Sequence, residues 1–268
     1  MKMCKISIFA MLIIIICFTP IGAVKINDGK VEDSENKKPL VTFMFDDGQV
    51  TDYTILYASI FKDLGVPASI CLITSKIGND SKFLSWDQCK ELKFNAGWTV
   101  CSHTHTHASL TDLTTNEIEA EFVESQNLLR QQGLDYQYFV TPYGKWNSEV
   151  QNICSKYYEC AVQTCNRFTN GASNLTGNAS KIDVNKMLLY RRNGPEYKGV
   201  TLETLKSDVD YANANNLWVI FEGHSWENFY KTEEGKQTLR DLVAYIQSLG
   251  IKIVNLGEGI RITGIASN

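Results

Sequence analysis

Short apolar runs rich in β-branched and aromatic residues recur along this chain, and the segments between them carry apolar residues at helical spacing. The runs are Val41–Phe45, "PASICLI", "GWTVCSH", "YQYFV", "ECAVQT", "KMLLYR", "LWVIFEGH" and "IKIVNL". Between them, "YTILYASIFKDLG" reads as a helix stopped at Gly65. Ser85 with Gln88, and Thr114 with Glu117, have the spacing of capping boxes. Further helices are expected over Ser148–Tyr157, Leu202–Asn213 and Glu234–Leu249. Near-continuous apolar strands alternating with helices imply a parallel sheet whose outer face the helices cover. About seven such units suit an α/β fold closed as a (β/α) barrel, with its chemistry at the C-terminal ends of the strands. An open doubly wound sheet is the alternative, although neither GxGxxG nor a P-loop supports nucleotide binding.

The chain has 268 residues, 44% of them hydrophobic, enough for one large core. A net charge of −4 gives no footprint for nucleic acid. Lys2 and Lys5 precede the unbroken apolar run Ile8–Phe18, and Ile21-Gly22-Ala23 offers small residues for cleavage. The run falls short of the roughly 20 residues a membrane span needs. Residues 1–23 therefore read as a signal peptide, with an uncleaved anchor as the alternative. Residues 24–38 read as a flexible polar leader, and 39–264 as one domain, exported. Six cysteines lie beyond residue 23, none at CxxC spacing. Cys71 and Cys101 sit on expected strands, where a buried free thiol is as good a reading as a disulfide. A pair among Cys154, Cys160 and Cys165 is expected. Asn79, Asn174 and Asn178 open glycosylation sequons.

Four of the runs end in chemically loaded sequence: "FDDG", "SHTHTH", "TPYG" and "EGHS". Three of the four histidines fall between His103 and His107, and the fourth, His224, ends another strand. A separation of four on a helical turn would put His103 and His107 on one side, able to share a metal, with His105 pointing elsewhere. Asp46 or Asp47 can add a carboxylate. Adjacent residues at a strand end face opposite ways, which would give the two aspartates different tasks.

These residues resemble the motifs of the NodB-type polysaccharide deacetylases, carbohydrate esterase family four. "TFMFDDG" is similar to the first motif, "HTHTH" to the second, "TPYG" to the core of the third and "VIFEGH" to the last. The resemblance runs over roughly Pro39–Leu256. It implies an irregular (β/α) barrel and a divalent metal, usually Zn2+ or another transition metal. It also implies removal of acetyl groups from N-acetyl sugar polymers or acetylxylan. Carried over, Asp47, His103 and His107 hold the metal, Asp46 is the general base and His224 the general acid. The backbone N–H of Tyr143 helps the metal stabilise the oxyanion, and Thr104 braces the His103 loop. The expected partner is an acetylated polysaccharide or oligosaccharide.

The sequence departs from the family pattern twice. Val140 and Thr141 stand where the third motif usually has an arginine that orients the base, and the fourth motif, which tunes the histidine acid, is not evident. Arg191, at the end of an expected strand, could reach Asp46 instead. The alternative is a solvated Arg191–Arg192 pair. Trp146 and Trp226 lie just past motifs, where a sugar ring could stack on either, with core packing as the alternative. Trp218 reads as core. Two other functions stay open: a metal-dependent hydrolase of another C–N or ester bond, and a non-catalytic carbohydrate-binding protein with a decayed site.

Overall fold

The computed structural model describes residues 38–164 and 188–263. The strands are β1 Leu40–Phe45, β2 Ser69–Leu72, β3 Thr99–Ser102, β4 Tyr138–Val140, β5 Cys160–Thr164, β6 Leu188–Asn193, β7 Trp218–Gly223 and β8 Lys252–Ile253. All their pairings are parallel. β1 to β7 follow one another round a ring in chain order. The ring closes on β1, which pairs with β7 along its whole length on one edge. On the other edge its end pairs with β2 (Met44 with Ser69, Phe45 with Ile70), while its start pairs with β8 (Leu40 with Lys252, Val41 with Ile253). The fold is thus a closed barrel of seven parallel strands surrounded by helices, and not an open sheet. The eighth strand is wedged into the lower part of the seam.

The strands are apolar on both faces because both faces are covered. Along β1, Leu40 and Met44 point into the barrel with Cys71, Cys101, Val140, Val162 and Ile220. Val41, Phe43 and Phe45 point outward into the layer beneath the helices. There Phe61 meets Phe43, Phe45 and Trp98 edge-on, with ring centroids 5.5–5.7 Å apart. Burying each such ring is worth about 1.5–3 kcal/mol, so this layer is what holds the helices against the barrel.

Both expected capping boxes form: Ser85 and Gln88 open helix Trp86–Phe94, and Thr114 and Glu117 open helix Thr115–Gln131. Four elements differ from expectation. The segment after "DDG" is a π-helix, Asp52–Phe61, that tightens into an α-turn at Lys62–Leu64 before Gly65. The last strand has only two residues, because Asn255 Oδ1 accepts from Glu258 N at 2.8 Å and starts an unforeseen helix, Leu256–Thr263. A short helix, Asn228–Lys231, was also unforeseen.

The cysteine expectation is corrected in part. Cys71, Cys89, Cys101, Cys154 and Cys160 are buried free thiols. Cys154 packs in the outer layer while Cys160 points into the barrel, so the sheet separates them. Cys165, the sequons at Asn174 and Asn178, residues 1–23 and residues 24–37 of the leader lie outside the described residues.

Candidate metal centre and active site

The chain leaves β1 at Asp46, whose N–H donates to Gly223 O at 2.9 Å and so pins the strand end to β7. Asp47 and Gly48 then adopt left-handed backbone, with φ of 79° and 70°. Glycine is required at the second position, since a Cβ there would lie 2.7 Å from Leu72 Cδ2. This tight bend corrects the expectation that the two aspartates face opposite ways. Both carboxylates open on the same mouth, 3.8 Å from His103 Nε2.

The histidine segment is not a helical turn. Residues 103–107 form a loop with left-handed Thr104 (φ 65°) and His107 (φ 69°). Thr104 Oγ1 accepts from His107 N at 2.8 Å, and that bond closes the loop. The result is what a helix would have delivered: the two Nε2 atoms lie 3.2 Å apart. His105 points away, its Nδ1 3.2 Å from Thr74 Oγ1. Glu121 anchors the loop by accepting the N–H groups of His105 and Thr106, both at 2.8 Å.

Asp47, His103 and His107 bring one ligand atom each to within 4.8 Å of one another. His103 Nδ1 lies 2.8 Å from Val140 O, which can only accept, so Nδ1 carries a proton and Nε2 is the nitrogen turned to the cluster. His107 Nδ1 is held 3.0 Å from Tyr143 Oη, which leaves its Nε2 for the cluster. Burial and the adjacent His103 ring push His107 down to about 4, against the pull of the aspartates. A carboxylate oxygen with two imidazole nitrogens is the donor set of a zinc-like divalent cation in an open catalytic site. The residues present fit such an ion.

Arg191 reaches Asp46. Its Nη1 and Nη2 donate to Asp46 Oδ1 and Oδ2 at 2.5 and 2.7 Å, and Nη2 also donates to Thr164 Oγ1 at 2.9 Å. Its Nε lies 3.1 Å from Glu222 Oε2, an ion pair without hydrogen-bond alignment. All three charged side chains are buried. Burial alone would raise the Asp46 carboxyl, but Arg191, with His103 and His224 helping, outweighs it and holds Asp46 well below the usual range. Burial wins at Glu222, which is raised despite Arg191. The alternative of a solvated Arg191–Arg192 pair is not what the structure holds: β6 turns Arg192 outward, where its guanidinium forks onto Asp208 at 2.6 and 2.8 Å.

His224 closes the mouth from β7. Its N–H donates to Glu196 Oε1 at 2.8 Å, and its Nδ1 lies 3.3 Å from Tyr197 Oη and 3.7 Å from the same Glu196 oxygen. Burial pulls the imidazole down, but Glu196, Asp46 and Asp47 more than reverse it and raise it to about 9. Tyr230 Oη donates to Glu196 Oε2 at 2.7 Å and fixes that carboxylate. Glu196, Tyr197, Glu222 and Thr164 were not singled out in the sequence. Glu196, Tyr197 and Thr164 belong to no local motif, and Glu222, although it lies inside "VIFEGH", acquires its place as they do, through pairing across the barrel.

A cavity of about 520 Å³ joins these groups, lined also by Gly144, Asn193, Tyr143 and Trp226. Tyr143 is 59% exposed and Trp226 40% exposed on its walls. Trp226 Nε1 donates to Asp47 Oδ2 at 2.9 Å. Trp146 is not at the mouth, because it stacks on Phe139 at 6.4 Å in an outer cluster. Trp218 is fully buried.

Residues 33–158 match the family model described as polysaccharide deacetylase. The resemblance read from the motifs is shown. A Bacillus subtilis relative, YxkH, whose name places it with the polysaccharide deacetylases, is 31% identical over 139 residues. That match covers 49% of this chain and about half (48%) of the relative's length. Two esterase structures share the barrel fold. The Xyl-CE4 domain of a xylanase from the hindgut metagenome of Trinervitermes trinervoides superposes with a TM-score of 0.59 at 16% identity, over 85% of this chain and 92% of that one. The family 4 carbohydrate esterase of Streptomyces lividans, solved with acetate, gives 0.55 at 15% identity, over 81% and 91%. At those identities the likeness is one of fold.

Proposed function

We propose that this chain is an exported, metal-dependent hydrolase that removes acetyl groups from an acetylated polysaccharide or oligosaccharide. What carries the proposal is one convergence. A donor set fit for zinc, an ion-paired aspartate and a protonated histidine meet at a single mouth. The family match supports the same reading. The basic start and apolar run before Ala23 support export.

Asp47, His103 and His107 would hold the cation. Bound there, a divalent metal would polarise the acetyl carbonyl and acidify a water. Asp46 Oδ2, the oxygen nearer His103, would take the proton of the attacking water. Arg191 keeps that carboxylate ionised and aimed. The Tyr143 backbone N–H would donate to the developing oxyanion. His224 keeps its Nδ1 toward Glu196 and Tyr197, so its Nε2 would deliver the proton to the departing sugar nitrogen or oxygen. An imidazole raised to about 9 is in its acid form at neutral pH, as that role demands. Tyr143 and Trp226 offer faces for a sugar ring on the cavity wall.

The deciding experiment is acetate release from N-acetylglucosamine oligomers and from acetylated xylan, metal-free and with zinc restored, beside Asp46→Asn. Zinc-dependent release that the variant loses is the expected result. Stoichiometric zinc binding with no release from either substrate would refute the proposed substrate class.

A further inference from the structure

The first residue of the π-helix poses a problem that the proposed chemistry does not use. Asp52 is wholly buried, and neither of its carboxyl oxygens has an aligned hydrogen bond. A carboxylate left in that state would cost several kcal/mol. The groups that face it are Ser225, Asp46, Asp47 and His224 on the rim side, Cys89 on helix Trp86–Phe94, and Tyr230 on helix Asn228–Lys231. No cation is among them except His224. Burial pushes the Asp52 carboxyl well up, the two aspartates push it further, and Ser225 and His224 oppose this. Burial and the missing hydrogen bonds thus both push Asp52 toward its neutral acid form in the folded chain.

Its neighbour explains where a neutral acid helps. Ser225 is fully buried, and its Oγ lies 2.6 Å from Thr51 Oγ1. With Thr51 donating, the Ser225 hydroxyl is free to turn toward Asp52. Ser225 is flanked by His224, the candidate acid, and Trp226, whose indole N–H holds Asp47. The Thr51–Asp52 step is thus the floor on which this three-residue turn rests. The π-helix accounts for the burial, since it starts at Asp52 itself and carries that side chain inward with Leu56 and Ile60.

We propose that Asp52 is a positioning residue, a buried carboxylic acid that seats the Ser225 turn and thereby fixes His224 and Trp226 at the mouth. The inference rests on His224 serving the reaction proposed above, but part of its test does not.

The variants are Asp52→Asn, which keeps shape and neutrality, and Asp52→Ala, which keeps neither shape nor polarity. The imidazole NMR signals of full-length protein with zinc can be followed, because only four histidines contribute. Asp52→Ala should move the His224 signals and lower kcat about tenfold. Asp52→Asn should leave those signals in place and recover most of the kcat. If Asp52→Ala does not fold, Ser225→Ala removes the contact from the other side and should move His224 in the same way.

Stability gives a readout independent of activity. The wild-type carboxyl is neutral when folded but ionised when unfolded above about pH 4. Wild type thus releases a proton on unfolding and loses stability as pH rises, whereas Asp52→Asn does not. The ratio of their unfolding constants should shift in favour of the variant by up to about tenfold per pH unit. A ratio independent of pH would overturn the neutral acid. Equal disturbance of His224 by Asn and Ala, or none by either, would overturn the positioning role. A wild type that releases no acetate would refute the proposed function and leave the NMR and stability outcomes to judge Asp52.

Discussion

The two halves of the barrel build their share of the mouth in different ways. The half matched by the family model carries Asp46, Asp47, His103 and His107 on two short loops. Each of those loops is shaped locally, by left-handed residues and by the Thr104–His107 bond. The half from β6 onward carries Arg191, Glu196, Glu222 and His224 on separate segments. There the pairs are side chain to side chain across the barrel: Arg191 is 145 residues from Asp46, and Thr164 is 58 from Glu222. One half places the candidate metal ligands, and the other sets the charge of Asp46. A loop can be recognised by its own letters, whereas a charge set by a distant partner cannot.

Variants on either side test that division. The largest effect should come from the first half: Asp46→Asn should lower turnover by on the order of 10³-fold with zinc content unchanged. His103→Ala should lose turnover and zinc together. Zinc retained in that variant would break the assignment of ligand placement to the first half.

Arg191→Ala should come next. It strands two buried carboxylates, so about 3–5 kcal/mol of stability should go with most of the turnover, again with zinc content intact. Arg191→Lys should recover little, because an ammonium cannot fork onto Asp46. Denaturant melts and metal analysis of both variants decide this.

Glu196→Gln should be milder, roughly 10-fold in turnover, and its signature is in pH. In wild type the acid form of His224 is lost as pH rises through about 9, so activity should fall on that alkaline side. Without the Glu196 charge the fall should begin at lower pH. An alkaline limb that does not move would separate Glu196 from the acid. The smallest effect should be Trp146→Phe. It should cost about 1 kcal/mol of packing and leave acetate release unchanged, while the same change at Trp226 should weaken zinc binding.

The fold was legible because strand and helix periods are written in neighbouring residues. The runs from Val41 to Leu256 gave every strand of the barrel, and Ser85 and Thr114 announced their helices. The π-helix was hidden, since "DYTILYASIF" has the same apolar spacing as an α-helix. The strand "IKIVNL" was overread because the Asn255 cap competes with the sheet for its last residues. In the site, the DD and HxxxH patterns located the ligands but misjudged the route. The chain reaches the right geometry through positive-φ turns, not through a helix or strand alternation. Trp146 and Trp226 look alike as letters beside motifs, and only packing on Phe139 tells them apart. Glu196 had no signal at all short of knowing that Tyr230 and His224 would come to meet it.

The wedge of β8 into the seam of β1 bears on the order of assembly. Thr42 Oγ1 donates to Val254 O, and Trp218 Nε1 donates to Thr42 Oγ1, across 212 and 176 residues. As the chain emerges from synthesis, the first strand to appear must keep one edge waiting for nearly the last. Contacts so distant in sequence close slowly. The aspartates at the far end of β1 are therefore made before the other strands of the barrel and are among its last groups to be locked, so an assembled mouth certifies that the whole barrel has been completed.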